Sequence, residues 1–318
     1  MKFSIIVPVY NEEANITALY NRIKKVSPSI KYQLEVIFIN DGSSDNTLIK
    51  LIELSEKDKS IKIINFSRNF GHQMAVSAGL KYASGDIVAV IDADLQDPPE
   101  LLPKFIDKIN SGYDVVYAIR KKRKESLIMK IAYATYYRLL KGMVDIDIPL
   151  DSGDFCVMKK RVVQAINRLP ERNRFIRGLR SWVGFKQTGI EYERDARFAG
   201  KSKYNFKKLM KLAFDGIFSF SYTPFKFMFY LGLFSLIFSV LAGIWIFYMK
   251  FFTANYNRVP GFATTIMLLV FIGGLQLFAM GINGEYIKRI YDEIKQRPAF
   301  IVESVIGFEN KEDNDQIA

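Results

Sequence analysis

The sequence predicts an α/β fold: a doubly wound, mostly parallel sheet, then an amphipathic stretch and a two-helix hairpin able to cross a membrane. Three observations carry this. Short β-branched runs alternate with helical patterns up to about residue 160. Polar and acidic residues collect where those runs stop. Two long stretches further on contain no charge at all.

The strand-like runs are Phe3–Val9, Leu34–Asn40, Ile61–Phe66, Ile87–Ile91, Val115–Ile119 and Phe155–Met158. They are apolar on both faces, as strands covered on both sides by helices must be. Helical patterns lie between them at Glu12–Val26, Asp45–Glu56, Gly71–Ala83 and Pro99–Asn110, with Asp45 as a predicted N-cap. Such alternation builds a sheet whose ligands bind outside the carboxyl ends of the strands. Asn11, Glu12, Asp41, Arg68, Asn69, Asp92, Asp94, Asp97 and Arg120 all fall at those ends.

The uncharged stretches are Phe227–Met249 and Gly261–Gly284. A helix of either length spans about 35 Å, enough for a hydrocarbon core of roughly 30 Å. Globular core helices rarely run so far without a charge. The predicted organisation is therefore a catalytic-type domain at 1–200 and an interfacial amphipathic region at 201–226. A first span follows at 227–249, then a short loop at 250–260, a second span at 261–284 and a tail at 285–318 whose acidic end, from Glu309, reads as disordered. In the amphipathic region Lys207, Lys208 and Lys211 share one helical face and Phe206, Leu209 and Met210 the other.

Forty-five Lys and Arg against 33 Asp and Glu give a net charge of +12. Basic residues flank the two spans outside the hairpin, while the loop carries only Lys250 and Arg258. The positive-inside rule then places the large domain and the tail in the cytoplasm, at the plasma membrane. No base-reading module is legible, so the positive charge suits phosphates and an anionic membrane surface rather than nucleic acid. The single cysteine, Cys156, precludes an intrachain disulfide and fits a reducing compartment. The amino-terminal apolar run, broken by Pro8, reads as a first strand rather than a signal peptide.

The stretch "AVIDADLQDPP" raises the chemical question: a buried strand ends in carboxylates that repel one another. On an extended chain Asp92, Asp94 and Gln96 would point to one side. Two carboxylates and an amide oxygen suit a hard divalent cation, Mg²⁺ or Mn²⁺, together with a substrate's phosphates. His72, the only histidine, reads as a loop or helix-start residue, and Cys156 as core. Asp97 reads as a cap for the helix opened by Pro98 and Pro99, and Glu285 as an interfacial residue. "AGKSK" lacks the first glycine of a phosphate P-loop.

The segments "SIIVPVYNEE" (4–13), "INDGSSDNT" (39–47), "SRNFGHQMAVSAGL" (67–80), "VIDADLQDPPE" (90–100), "SGDFCVMKKRVV" (152–163), "RNRFIRGL" (172–179) and "RFAGKSKYNFKKL" (197–209) carry a resemblance. In this order they resemble the family 2 inverting glycosyltransferases of GT-A fold. The branch they look like transfers sugars to polyprenyl phosphates, as bactoprenol glucosyltransferases and dolichyl-phosphate mannose synthase do. The resemblance implies a nucleotide-sugar donor, UDP-glucose first and GDP-mannose or a UDP-pentose as alternatives, and an undecaprenyl-type phosphate acceptor. It implies that Pro8, Tyr10, Glu12 and Asp41 hold the nucleoside, and that Asp92, Asp94 and Gln96 form the metal and diphosphate site. Asp154 would stand at the reaction centre with Asp94. Arg177, Arg197 and Lys201 would bind phosphate. Apart from the resemblance, the basic run Arg120, Lys121, Lys122, Arg123 and Lys124 follows a strand end and reads either as a mobile acceptor loop or as a solvated charge run at the membrane surface.

Two rival functions fit the residues less well. A processive polysaccharide synthase would carry a Gln-x-x-Arg-Trp motif, and "GLRSW" (178–182) lacks that glutamine. A non-catalytic partner of a flippase would have little reason to keep Asp41, Asp92, Asp94 and Asp154. Gly232, Gly243, Gly273, Gly274 and Gly281 permit close helix approach, so a homo-oligomer is a further expectation.

Overall fold

The computed structural model describes residues 1–120, 152–172, 174–193, 221, 223–252 and 261–308. They fall into two units, one holding the residues up to 193 and from 297 onward, the other residues 221–296.

The first unit is a mixed sheet covered by helices on both faces. In chain order it runs β1 (Lys2–Val9), α1 (Ile16–Val26), β2 (Gln33–Asn40), α2 (Thr47–Lys57), β3 (Ile61–Phe66), α3 (His72–Tyr82), β4 (Ile87–Val90), α4 (Leu102–Asn110) and β5 (Val115–Arg120). Then come β6 (Ser152–Lys159), α5 (Lys160–Asn167), α6 (Ile176–Trp182) and β7 (Gln187–Tyr192). The second unit supplies α7 (Thr223–Phe252) and α8 (Gly261–Ile294), after which β8 (Val302–Ile306) belongs to the sheet again. The strand order is β7-β5-β6-β4-β1-β2-β3-β8. β1 pairs in parallel with β2 and β4, β2 with β3, and β5 with β7. The mostly parallel expectation holds with two reversals: β6 is antiparallel to both β4 and β5, and β8 is antiparallel to β3.

The burial pattern explains the two-sided apolar strands. Ile5, Val7 and Phe38 pack on one face with Ile16, Leu19 and Ile23 of α1 and Phe105 of α4. On the other face α3 lies so close that a Cβ on Gly79 would sit 2.3 Å from Ile6 Cγ2. Only glycine admits that approach.

Several boundaries move. α1 begins at Ile16 rather than Glu12, and α2 at Thr47 rather than Asp45. Asp45 still acts at that terminus: its Oδ1 accepts the Thr47 N–H at 3.0 Å from one residue outside the N-cap. α7 starts at Thr223, inside the stretch read as amphipathic, and α8 continues to Ile294, ten residues beyond the expected end at Gly284. Its final turns tolerate charge because Glu285 pairs along the helix with Lys288 at 3.7 Å and Arg289 at 3.4 Å. The predicted tail thus contains helix and a strand, and its acidic end from Glu309 lies outside the described residues. So do most of the amphipathic region and residues 253–260 of the loop.

Within the second unit, the most apolar 18-residue stretch of each candidate span, Thr223–Met249 and Leu268–Ile294, buries none of its residues inside the protein. Phe229, Phe251, Leu269 and Leu277 are each more than 60% exposed, so neither helix packs these side chains into a core of this chain. The two helices are long and apolar enough to cross a membrane.

Candidate active site

At its carboxyl end β4 keeps one more bond to β1, from Ile91 N to Ile6 O at 3.0 Å, and then leaves the sheet. The chain does not stay extended. Ala93–Leu95 form a turn in which Asp94 Oδ1 accepts the Gln96 N–H at 3.1 Å and Leu95 takes φ +62°. The expected sharing of one side by Asp92, Asp94 and Gln96 through strand alternation therefore does not apply; a turn presents them instead. A left-handed leucine is strained, and persists where its surroundings hold it. Leu95 is buried and its carbonyl accepts Arg22 Nη1 at 3.3 Å.

Asp97 is not a helix cap. It is fully buried and its Oδ1 accepts the Tyr192 hydroxyl from β7. Asp92, Asp94 and Asp97 thus occupy different surroundings although they are close in sequence. Burial pushes the Asp92 carboxyl up to about 6, opposed by His72 and reinforced by Asp97, Asp154 and Asp94. Asp92 Oδ1 is buried without a hydrogen-bond partner.

Across from this turn stands Asp154 on β6. His72 Nε2, at the start of α3, lies 3.3 Å from Asp154 Oδ2 and 3.7 Å from Asp92 Oδ1. Arg177 Nη2 on α6 lies 3.3 Å from Asp154 Oδ1. Gln73 joins the same group: its Nε2 donates to Asp154 Oδ2 at 3.4 Å and its Oε1 accepts the Ile176 N–H at 2.9 Å. Burial alone would raise the Asp154 carboxyl, but Arg177 and His72 outweigh it and hold it well below the usual carboxylate range. For His72, burial lowers the imidazole, and the two carboxylates more than reverse this, taking it up to about 9. The reading of His72 as a bland loop residue is corrected: it bridges two carboxylates. Composition could not show this, because its partners lie on β6 and after β4.

Asp41 follows β2. Burial raises its carboxyl, and the Phe70 and Gly71 amides, donating at 2.7 and 3.0 Å, work against this. The neighbouring Gly42 has φ +65°, and a Cβ there would lie 2.5 Å from Arg68 C. Asp41 and Gly42 are therefore locked to the 68–71 loop, which leads into α3 and His72.

The remaining predicted residues are placed as follows. Pro8 is buried in β1, opposite Ile39. Tyr10, just beyond it, is exposed, and Glu12 Oε2 accepts Asn15 Nδ2 at 2.6 Å. Gln96 is half-buried beside Asp94. Arg120 is the last residue of β5. Arg123, Arg197 and Lys201 lie outside the described residues.

The family model for glycosyl transferase family 2 matches residues 4–166, and that for the GtrB C-terminal hairpin matches residues 223–290. The chain belongs to glycosyl transferase family 2. It is 49% identical to the uncharacterized glycosyltransferase YkcC of Bacillus subtilis (strain 168), over 98% of this chain and 96% of the relative. It is 42% identical to the bactoprenol glucosyl transferase of Shigella phage SfV, over 96% and 99%. Among solved structures, Mycobacterium tuberculosis glucosyl-3-phosphoglycerate synthase in complex with Mn²⁺, uridine diphosphate and glucosyl-3-phosphoglycerate matches at TM-score 0.45 and 20% identity, over 68% of this chain and 77% of that one.

Among the described residues no three His, Cys, Asp or Glu side chains converge as a ready metal cluster. The donor set at the β4 turn nevertheless fits a hard cation. Asp92 offers a buried carboxylate oxygen that accepts no hydrogen bond, and Asp94, 7% exposed, stands two residues on.

Proposed function

We propose that this family 2 glycosyltransferase moves a hexose, glucose from UDP-glucose, onto a polyprenyl phosphate of the undecaprenyl type, with inversion, on the cytoplasmic face of the plasma membrane. The observation that carries the reading is the Asp92–His72–Asp154–Arg177 constellation at the carboxyl end of the sheet, in a chain that also has two exposed apolar helices. The bactoprenol glucosyl transferases that align along nearly all of the chain support the choice of acceptor and sugar.

The donor's nucleoside lies against the β1 and β2 ends, at Pro8, Tyr10, Glu12 and Asp41. Asp92, Asp94 and Gln96 would hold Mg²⁺ or Mn²⁺, which would supply electrostatic stabilisation of the departing diphosphate. Asp154, held anionic by Arg177 and His72, is a poor proton acceptor. A phosphate monoester needs none, since its second pKa is about 6. Asp154 therefore orients the sugar or the acceptor, with Gln73 fixing its rotamer. Arg177, with Arg197 and Lys201, screens the meeting of two anions, and Arg120 and Arg123 serve the acceptor side. A polyprenyl chain leaves the bilayer only at about 0.8 kcal/mol per exposed CH₂, so the enzyme must work at the membrane surface.

The test uses the purified full chain in detergent with polyprenyl phosphate, Mn²⁺ or Mg²⁺, and UDP-glucose, GDP-mannose or a UDP-pentose. UDP release with UDP-glucose is the expected result, and Asp94→Ala should lower it by a factor of about 10² or more while the fold is kept. Full turnover by that variant removes the metal assignment. Release with GDP-mannose or the UDP-pentose alone replaces the donor.

A further inference from the structure

α3 begins in the candidate active site at His72, and its later turns carry Ser77 and Lys81. At 1.5 Å per residue Lys81 lies about 13 Å further along the helix. Here a separate pocket of about 320 Å³ opens between α3, the end of α5 at Asn167 with Pro170, Glu171, Arg172 and Arg174 beyond it, and residues 297–300 before β8.

Its polar lining is one-sided. The Ser77 hydroxyl already donates to Gln73 O at 2.8 Å and the Asn167 amide to Leu80 O at 2.9 Å. The charged side chains lining it are Lys81, Arg172, Arg174 and Arg297, against the single carboxylate of Glu171. Arg174 is the most telling. Its Nη2 donates to Ile166 O at 2.7 Å, while its Nε is buried with no hydrogen-bond partner. Buried guanidinium N–H groups are normally satisfied, so an unpaired one beside a cavity asks for an acceptor. Burial also lowers the Arg174 pKa, an effect Glu171 only opposes.

We propose that this pocket binds a phosphate-bearing ligand at a site separate from the sugar-transfer centre. Guanidinium forks match the oxygens of a phosphate, and a lysine adds a point charge. The volume exceeds what a bare phosphate ion fills, and Phe300, stacked on Phe66 at 5.1 Å, offers a rigid apolar wall to the organic part of the ligand. The ligand is a soluble phosphate compound or a lipid headgroup. Arg297 follows the candidate span Leu268–Ile294 by three residues in the chain, which brings the second source into consideration. Arg174 lies two residues before α6, which carries Arg177, so a ligand held there also steadies the segment that carries the Asp154 partner.

The test titrates the full chain in detergent, by calorimetry, with inorganic phosphate, with dihexanoyl phosphatidic acid, and with dihexanoylglycerol, which lacks phosphate. Lys81 and Arg297 are exposed, so the double variant Lys81→Ala/Arg297→Ala should fold. Loss of two charge-assisted contacts should weaken binding about a hundredfold, and binding should also weaken with added salt. Asp94→Ala should bind as the parent does. Binding of inorganic phosphate in this pattern supports the site with a soluble source. Binding of the phosphatidic acid alone supports it with a lipid source. Binding of neither, binding indifferent to the double substitution, or equal binding of dihexanoylglycerol overturns it. No arm requires sugar transfer, so the outcome is independent of the function proposed above.

Discussion

Glu35 and Asp92 are acidic residues at opposite ends of one sheet, and they are treated in opposite ways. Glu35, near the start of β2, is 1% exposed and receives Lys2 Nζ and Lys62 Nζ at 2.8 Å, together with the hydroxyls of Ser4 and Ser84. Burial would raise its carboxyl, but these donors outweigh burial and hold it down to about 2. Asp92, beyond the end of β4, has a buried oxygen with no donor and is pushed up to about 6. A satisfied buried acid binds strands together. An unsatisfied one is a cost to the fold, and it is retained where a substrate or cation completes it.

Four substitutions sharpen that contrast. Glu35→Ala should have the largest effect, about 3 kcal/mol of stability, because it removes the buried carboxylate shared by two lysines and two hydroxyls. Thermal unfolding in detergent reads it as a fall of roughly 5–10 °C. The sign with pH follows from a depressed carboxyl. The stabilisation is complete above about 4.5 and is lost as pH falls toward about 2, so the gap between parent and variant should narrow over that window. A gap that widens on acidification would contradict the assignment.

Asp154→Asn comes next. It removes the charge that Arg177 and His72 face, and transfer should drop by a factor of about 10². Retained turnover would show that the anion is dispensable. Asp92→Asn should reverse the Glu35 result: inactive, yet more stable at pH 7 by about 2 kcal/mol, since the buried charge is gone. For a raised carboxyl the destabilisation is present above about 6 and absent below about 3.8, so the advantage should vanish in acid. A variant no more stable than the parent at pH 7 would mean that Asp92 is not under strain. Gln73→Ala should be mildest. It frees one side of Asp154, so kcat should fall about tenfold with KM nearly unchanged. A change confined to KM would place Gln73 in binding instead.

The sheet was largely legible because its strands are buried on both faces, which leaves apolar runs that begin and end sharply. β7 and β8 were not. "QTGIEY" is half polar at a sheet edge, and "VESVI" gains its place only by pairing with β3, where Asn65 Nδ2 donates to Glu303 Oε2 at 2.8 Å across most of the chain. The acids after β4 announced themselves by ending a buried run. Their arrangement did not, since a left-handed Leu95 turned what extended geometry would have aligned. His72 and Gln73 carried no local signal, because both matter through partners on β6 and α6. Sequence spacing reports neighbours along the chain, whereas sites of this kind are assembled from loops that meet only after folding.

The return of the chain to the sheet after α8 has a practical consequence. β8 covers the outer side of β3, so the two long apolar helices are an insertion between parts of the sheet unit rather than a detachable appendage. Cutting the polypeptide ahead of α7 to obtain a water-soluble enzyme would also strip β8 away. The bared β3 would then present open backbone groups to any passing strand, and such a fragment is expected to self-associate rather than stay dispersed.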